Sequence, residues 1–237
     1  PIRIGLNNKY ERTFYTYPIY NKKTEHISQV FSNLLKPLDI DFHYNYFSLK
    51  GNEENRNRIK NILNHFGINN FVCIHPGTSE NFKSKRYRKD YFSELTSLII
   101  NKYNYSILFT GTEKEKNLIK DIIKMCFVKN KVFDLSDNFT IWEFIELLRK
   151  SLLFISNDSG PVHLAASLGI NTVVFYGPTA PQKYRPLNEN SLIFYKNIKC
   201  SPCVGIEYIN RNCRNKYKCL DFSPQEVFSK ISEKFFP

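Results

Sequence analysis

The chain of 237 residues carries 42% hydrophobic and 24% charged residues, which is ordinary globular usage and excludes wholesale disorder. No apolar run approaches the roughly 18 residues of a membrane-spanning helix. The net charge of +12 at pH 7 indicates anionic partners such as phosphorylated small molecules, anionic lipids or nucleic acid, although a basic surface without a specific partner is equally compatible.

The first 52 residues are predicted to form a strand, a loop rich in Tyr and Lys, and one helix. Apolar residues recur at helical spacing from near Thr24 and stop before Pro37. Because this piece opens abruptly on a strand and has too little apolar surface to fold alone, we expect it to be the end of a larger N-terminal lobe. The polar stretch Gly51–Lys60 is the best candidate for a linker.

Beyond the linker, short apolar strands alternate with amphipathic helices. The pattern predicts strands over 71–74, 106–109, 131–133, 152–155 and 172–176, and helices over 53–66, 88–102, 113–126, 140–150 and 161–168. Continuous apolar strands that are each followed by a helix are typical of a parallel sheet covered on both faces. The sequence therefore predicts a doubly wound α/β domain over 53–222. A C-terminal helix within 223–237 is expected to pack back toward the N-terminal lobe.

In such sheets the ligand lies beyond the carboxyl ends of the strands, so the loops there are informative. The loop after strand 71–74 contains Thr78 and Ser79, followed by a basic cluster that includes Lys85. Two hydroxyls and a lysine point charge suit a diphosphate. A capped turn before a solvated basic helix start explains the same residues, so both interpretations stay open.

The loop after strand 152–155 places Asp158, Ser159 and Gly160 ahead of Pro161 and His163. Asp158 or Ser159 can cap the following helix, and Pro161 suits its first turn. Free N–H groups at a helix N-terminus bind phosphate, and His163 falls on the side that faces such an anion. The alternative is an ordinary capped helix with a satisfied histidine. The convergence of Asp, Ser, Gly and His at the functional end of a strand disfavours it.

Two further turns flank the same edge of the predicted sheet. Gly177-Pro178-Thr179 follows strand 172–176 and forms a rigid turn that can close the cleft. Glu113 and Glu115 open helix 113–126, where a carboxylate can accept hydrogen bonds from ribose hydroxyls. Acidic residues also stabilise a helix N-terminus without any ligand, so the sequence alone does not assign them to a site.

Together, these segments resemble the signature of glycosyltransferase family nine, the ADP-heptose:lipopolysaccharide heptosyltransferases. The resemblance extends over roughly residues 70–220 and rests on Asp158–Ala166, Gly169 and Phe175–Thr179, with further matches at Pro76-Gly77, Lys85-Arg86-Tyr87, Gly111, Glu115 and Cys200–Cys203. Arg88 stands where the family usually has proline.

The resemblance implies a GT-B fold whose C-terminal lobe is complete here and whose N-terminal lobe is present as a fragment over 1–52. It also implies metal-free, inverting transfer of heptose from ADP-heptose to the lipopolysaccharide inner core. The implied site residues are Thr78, Ser79 and Lys85 for the diphosphate and sugar, Glu115 for the ribose, Asn138 and Phe139 for the adenine, and Asp158, Ser159, Gly160 and His163 for the heptose and phosphates. Of these, Lys85, Asp158 and His163 are the candidate catalytic residues.

The aspartate general base of the family lies in its N-terminal lobe, upstream of where this chain begins. Inverting transfer needs a base, so we expect the donor half of the site here and the base outside it. We expect a cytoplasmic protein at the inner membrane, with a lipid-linked saccharide acceptor and peripheral contact with anionic lipid. The alternatives are a transferase for another nucleotide sugar, a non-catalytic nucleotide-sugar binder and a nucleic-acid binder. No recognition helix or aromatic RNA-binding motif favours the last, so we expect no nucleic-acid partner.

Four cysteines, Cys200, Cys203, Cys213 and Cys219, cluster with the spacing C-x2-C-x9-C-x5-C. Four thiolates can bind zinc tetrahedrally, and in a reducing cytoplasm zinc is more natural than disulfides. Free or redox-active thiols are the alternative. The resemblance implies no cofactor for catalysis, and structural zinc is the candidate ligand of this cluster.

Overall fold

The computed structural model describes residues 1–7, 12–22, 24–42, 49, 51–203 and 213–237. Its N-terminal part pairs strands β1 (Ile4–Leu6) and β2 (Tyr17–Ile19) in parallel and continues into helix α1 (Ile27–Asn33), with short 3-10 turns at Arg12–Phe14 and Lys36–Leu38. The predicted loop rich in Tyr and Lys falls partly on residues 8–11, which lie outside the described residues.

Helix α1 begins later than the predicted Thr24 because His26 caps it. The backbone of His26 is extended, and its Nδ1 accepts a hydrogen bond of 3.2 Å from the Ser28 N–H. Its Nε2 lies 2.9 Å from the Arg185 carbonyl oxygen. One side chain thus ends the loop, starts the helix and joins the N-terminal segment to the rest of the chain.

A doubly wound α/β lobe follows. Its strands are β3 (Phe71–His75), β4 (Ser106–Phe109), β5 (Val132–Asp134), β6 (Leu153–Asn157), β7 (Thr172–Tyr176) and β8 (Ser191–Tyr195). Its helices are α2 (Glu53–His65), α3 (Lys89–Tyr103), α4 (Lys116–Met125), α5 (Ile141–Lys150), α6 (Gly160–Ser167), α7 (Pro181–Tyr184) and α8 (Pro224–Phe235), with 3-10 turns at Glu80–Lys85, Glu113–Glu115 and Lys218–Leu220.

The six strands of this lobe are parallel and lie in the order β5-β4-β3-β6-β7-β8. The strand order reverses between β3 and β6, so the connections on either side leave a crevice at the carboxyl ends of these two strands. Open α/β sheets bind their ligands at such a switch point. The prediction of a doubly wound parallel sheet is confirmed.

Helices cover both faces of the sheet and form two cores. Helices α3, α4 and α8 pack on one face, where Phe92, Ile119 and Val227 are buried. Helices α2, α5 and α6 pack on the other face, with Ile59 and Leu147 among the buried residues. Burial on both faces explains why the strand sequences are continuously apolar. Among the helices of the described ranges, none is long and apolar enough to cross a membrane.

Helix α8 lies against α3, where the ring of Tyr103 is 5.9 Å from Phe228 and 5.0 Å from Phe236 between centroids. The apolar stripe of α8 therefore completes the core of the α/β lobe. Its packing toward the N-terminal lobe stays a prediction. Strand β2 was not predicted, because it has only three residues and is partly exposed. Strand β8 was also missed, although four of its five residues form a continuous apolar run.

Candidate functional site

Two adjoining cavities open at the carboxyl ends of β3, β4 and β6. The apolar cavity, of about 500 Å³, is lined by Leu135, Phe139, Ile141, Phe144, Pro161 and Leu164, with His75, Thr110, Gly111, Thr112, Thr140 and Gly160 completing its wall. The polar cavity, of about 280 Å³, is lined by Thr78, Ser79, Phe82, Lys85, Asp158, Ser159, Gly160 and His163. Because Gly160 belongs to both walls, one elongated ligand can place a flat apolar group in the first cavity and charged groups in the second.

Lys85 and Asp158 form an ion pair in the wall of the polar cavity. Lys85 Nζ lies 2.8 Å from Asp158 Oδ2, and the side chains are only 15% and 7% exposed. Thr179 Oγ1 donates a second hydrogen bond of 2.6 Å to the same Oδ2. The lysine also lies over the Phe82 ring, 4.6 Å from its centroid. The cavity thus holds a cation that can be presented to an anionic ligand.

A buried asparagine joins the loops that carry this pair. Asn157, at the end of β6, accepts a 2.7 Å hydrogen bond from the Tyr87 N–H and donates one of 2.8 Å to the Pro76 carbonyl. The Tyr87 ring stacks on Phe175 with centroids 4.0 Å apart. These contacts fix the backbone two residues beyond Lys85, so the lysine reaches the polar cavity from an anchored loop.

The two predicted hydroxyls, of Thr78 and Ser79, have different surroundings. Thr78 is buried, and its hydroxyl donates to the Phe82 carbonyl at 3.0 Å and accepts from Arg86 Nε at 3.0 Å. Arg86 also donates to the Thr78 carbonyl at 2.8 Å. Ser79 is exposed at the rim. Thr78 therefore shapes the loop, and Ser79 is the better placed of the two for direct contact with a ligand.

The first turn of α6 faces the polar cavity. Ser159 is its N-cap residue but makes no side-chain capping hydrogen bond; its hydroxyl lies 3.0 Å from Ser156 Oγ instead. Ser159 therefore occupies the expected N-cap position without capping through its side chain, and Asp158 pairs with Lys85. The backbone N–H groups in the first turn of α6 receive no hydrogen bond from the side chain of the N-cap residue. They are therefore available to bind a phosphate.

His163 lies in the same turn and lines the polar cavity. Burial lowers the pKa of His163 below its ordinary value of 6.5; nearby Asp158 opposes this effect, while His26 and Lys85 add to it. The imidazole is thus neutral at pH 7 and can accept or donate a hydrogen bond beside a bound anion.

Of the predicted nucleoside residues, Phe139 alone lines the apolar cavity. Glu115 is buried behind the wall, where Oε2 accepts hydrogen bonds from the Thr112 N–H at 2.8 Å and hydroxyl at 3.0 Å. Its Oε1 faces His75 Nε2 at 3.8 Å. Asn138 is exposed and lies in the wall of neither cavity. The structure therefore gives Glu115 a supporting position and does not bring Asn138 into the site.

Sequence reasoning missed His75, the last residue of β3. Its ring lines the apolar cavity, and Nδ1 lies 3.3 Å from Thr110 Oγ1. Burial lowers the pKa of His75, an effect that Glu115 opposes and Arg86 reinforces. A polar residue that ends an apolar strand was the available signal. The wall residues Thr140, Ile141 and Phe144, from the start of α5, had no comparable signal in the sequence.

The four clustered cysteines are free thiols in the structure. Burial, followed by the charges of Cys203, Cys213 and Cys200, raises the pKa of Cys219 to about 11. Within the described residues, no group of three or more His, Cys, Asp or Glu side chains is arranged to hold a metal ion. Residues 204–212 lie outside the described part. Structural zinc therefore stays a prediction, which metal analysis of the purified protein tests.

The cysteine-bearing segment packs against the turn that carries Thr179. The Cys203 N–H donates a 2.9 Å hydrogen bond to the Pro178 carbonyl, and the Ser201 hydroxyl donates to the Gly177 carbonyl. A β-carbon on Gly177 would lie 3.1 Å from Cys219 Sγ and 2.5 Å from a carbon of Leu220. This close approach requires glycine and fixes the turn next to Asp158.

Solved structures share this fold. The glycosyl transferase family 9 protein from Veillonella parvula matches with a TM-score of 0.77 at 21% identity, over 99% of this chain and 67% of that chain. E. coli ADP-heptose lps heptosyltransferase II matches with a TM-score of 0.65 at 19% identity, over 84% of this chain and 56% of that chain. The prediction of a GT-B type α/β fold is confirmed.

Sequence relatives lead to the same family. Lipooligosaccharide heptosyltransferase 2 of Campylobacter jejuni is 29% identical over 168 residues, which cover 69% of this chain and 51% of the relative. The same enzyme from a second strain is 30% identical over 158 residues, with 65% and 47% covered. The chain thus spans about half the length of these curated relatives.

The family model described as glycosyltransferase family 9 (heptosyltransferase) matches residues 1–214. The chain belongs to glycosyltransferase family 9.

Proposed function

We propose that this chain carries the donor-binding half of a transferase that moves heptose from ADP-heptose to the lipopolysaccharide inner core. The observation that carries the proposal is the pair of cavities that meet at Gly160, at the switch point of the sheet. Family membership supports glycosyl transfer, and the names of the relatives support heptose as the sugar and a lipid-linked saccharide as the acceptor.

The two cavities divide the donor between them. Adenine enters the apolar cavity beside Phe139, and the diphosphate crosses Gly160 to the N-terminus of α6. Lys85 and Ser79 approach the diphosphate from the opposite loop, and the sugar lies toward Asp158. A nucleoside diphosphate needs an apolar cavity for its base and, next to it, a cationic cavity with a helix N-terminus for its phosphates.

The proposed reaction inverts the anomeric centre. An acceptor hydroxyl attacks the anomeric carbon, the bond from that carbon to the diphosphate oxygen breaks, and ADP leaves with the electron pair. Lys85 and the N–H groups of α6 stabilise the charge that develops on the leaving diphosphate, so the step needs no metal cofactor. The hydroxyl proton passes to a base that we place on the acceptor side, outside the two cavities.

Calorimetric titration with ADP tests the donor site. We expect wild-type protein to bind and Lys85→Ala to bind at least about tenfold more weakly, because a charge-assisted contact to phosphate is lost. Lys89→Ala is the matched control, since Lys89 also pairs with a carboxylate, at 2.6 Å from Asp121, but on the exposed surface. Absence of ADP binding, or equal weakening in both variants, contradicts the proposal.

Other outcomes identify the alternatives. Tighter binding of a different nucleotide favours a transferase for another sugar, and ADP binding without turnover in the complete protein favours a non-catalytic binder. Salt-sensitive binding of DNA or RNA that Lys85→Ala leaves unchanged favours a nucleic-acid function.

We further propose a cytoplasmic location with peripheral contact at the anionic inner membrane, which the net charge of +12 supports.

A further inference from the structure

We propose that Thr179 is a positioning residue that allows Lys85 to move from Asp158 to the diphosphate of the donor. The inference rests on the proposed function, because it assumes that a diphosphate enters the polar cavity. Its basis is that Lys85 Nζ at 2.8 Å and Thr179 Oγ1 at 2.6 Å donate to the same oxygen, Oδ2 of Asp158.

Lys85 cannot turn to a phosphate without reducing its contact with Asp158. The carboxylate is buried, with 7% of its side chain exposed, so water replaces the lost partner poorly. A buried carboxylate that loses a charged partner is strongly destabilised unless another donor stays in place. Thr179, which is 3% exposed, is that donor. The hydrogen bond from Thr179 also withdraws negative charge from Oδ2. This weakens the electrostatic attraction between Asp158 and Lys85.

A second hydroxyl, that of Tyr176, also lies near Asp158. Burial, the charge of Asp158 and a hydrogen bond to Asp158 raise the pKa of the Tyr176 phenol. The same hydroxyl donates a 2.6 Å hydrogen bond to the Tyr184 carbonyl. Because the phenol shares one proton between these two acceptors, Thr179 is the hydroxyl whose proton goes to Oδ2 alone.

The backbone ahead of Thr179 is held in place. The Pro178 carbonyl accepts from the Cys203 N–H, and the Gly177 carbonyl accepts from the Ser201 hydroxyl. These contacts limit how far the turn can move when Lys85 swings away. The threonine hydroxyl thus keeps Asp158 oriented toward the sugar side of the cavity while the lysine changes partners.

Calorimetry with ADP across three variants tests the role. Thr179→Val keeps the shape but removes the donor, and we expect its Kd for ADP to rise about tenfold. Thr179→Ser restores the hydroxyl and should return the Kd to within about twofold of wild type. Thr172→Val is the matched control: Thr172 is buried at the other end of β7, with Oγ1 2.6 Å from Ser191 Oγ. It should leave the Kd unchanged.

A double-mutant cycle separates positioning from packing. If Thr179 acts through Asp158, Thr179→Val should change the Kd less than about twofold in an Asp158→Ala background. An unchanged Kd in Thr179→Val, or the same tenfold loss with and without Asp158, overturns the inference. In both cases wild-type protein still binds ADP and depends on Lys85. Failure of wild-type protein to bind ADP overturns the proposed function itself, and the inference with it.

Discussion

At the residue scale, the site depends on how little space separates its loops. Glu115 is an example, since its carboxylate lies where a β-carbon of residue 77 would be. The resemblance assigns Glu115 to the ribose, which stays a prediction, and the structure places its carboxylate beneath the loop after β3. Gly77 and Glu115 therefore act as one structural unit, in which each determines what the other position tolerates.

We expect Gly77→Ala to destabilise the protein by about 1–3 kcal/mol, because the added methyl overlaps the Glu115 carboxylate. Its affinity for ADP should fall as well, because Thr78 and Ser79 follow directly. Chemical denaturation measures the first effect and calorimetry the second. The double variant Gly77→Ala with Glu115→Ala should cost less than the sum of the two single changes. Strict additivity would show that the two residues do not compete for space.

The buried histidines predict how stability depends on pH. The pKa of His163 is lowered on folding from about 6.5, mainly by burial, so the unfolded chain takes up this proton at a higher pH than the folded chain. Stability should therefore decrease as the pH drops through about 6.5, and His75, whose pKa is also lowered, adds to the loss. Thermal unfolding at a series of pH values between about 8 and about 5 measures this loss of stability.

His163→Gln should flatten this pH profile, because glutamine does not titrate. His65→Gln changes an exposed histidine at the end of α2 and provides the control. A profile for His163→Gln that follows the wild-type curve over the whole range would refute the assignment.

At the scale of elements, the sequence predicted most helices and buried strands of the lobe to within a few residues. Strands such as β7 are buried on both faces, so their apolar runs are unmistakable. The edge strand β8 is only partly buried, and it was missed although its sequence contains a continuous apolar run. The packing partner of α8 could not be predicted from the sequence. The amphipathic pattern of a helix shows that one face is buried but does not identify the surface that covers it.

In the candidate site, too, residues with a local sequence signal were predicted, and residues whose role depends on distant segments were not. Lys85, Asp158 and Gly160 were found because loop chemistry and the resemblance both pointed to them. His75 and the α5 residues of the apolar cavity were missed, and the turn that contains Thr179 was predicted to close the cleft without a role for the threonine itself. Their roles arise from contacts between segments far apart in the chain, as in the 2.6 Å bond between Thr179 and Asp158.

At the scale of the whole molecule, the charge of +12 leads to a prediction about lipid surfaces. We expect the protein to sediment with vesicles that contain phosphatidylglycerol and not with neutral phosphatidylcholine vesicles, because the attraction is electrostatic. Binding should weaken as salt is raised from about 0.05 to about 0.5 M, since screening shortens the reach of surface charges. Binding that is equal for both lipids, or insensitive to salt, would contradict a charge-driven contact.

The separation of the candidate site into two hollows has a consequence for chemical inhibition of the proposed nucleotide binding. The larger hollow, of about 500 Å³, is walled mainly by aliphatic and aromatic side chains and carries none of the strong charges of its neighbour. A neutral, flat drug-like compound can fill it and displace the nucleotide without imitating phosphate. Such a compound would need none of the negative charge that a nucleotide mimic carries.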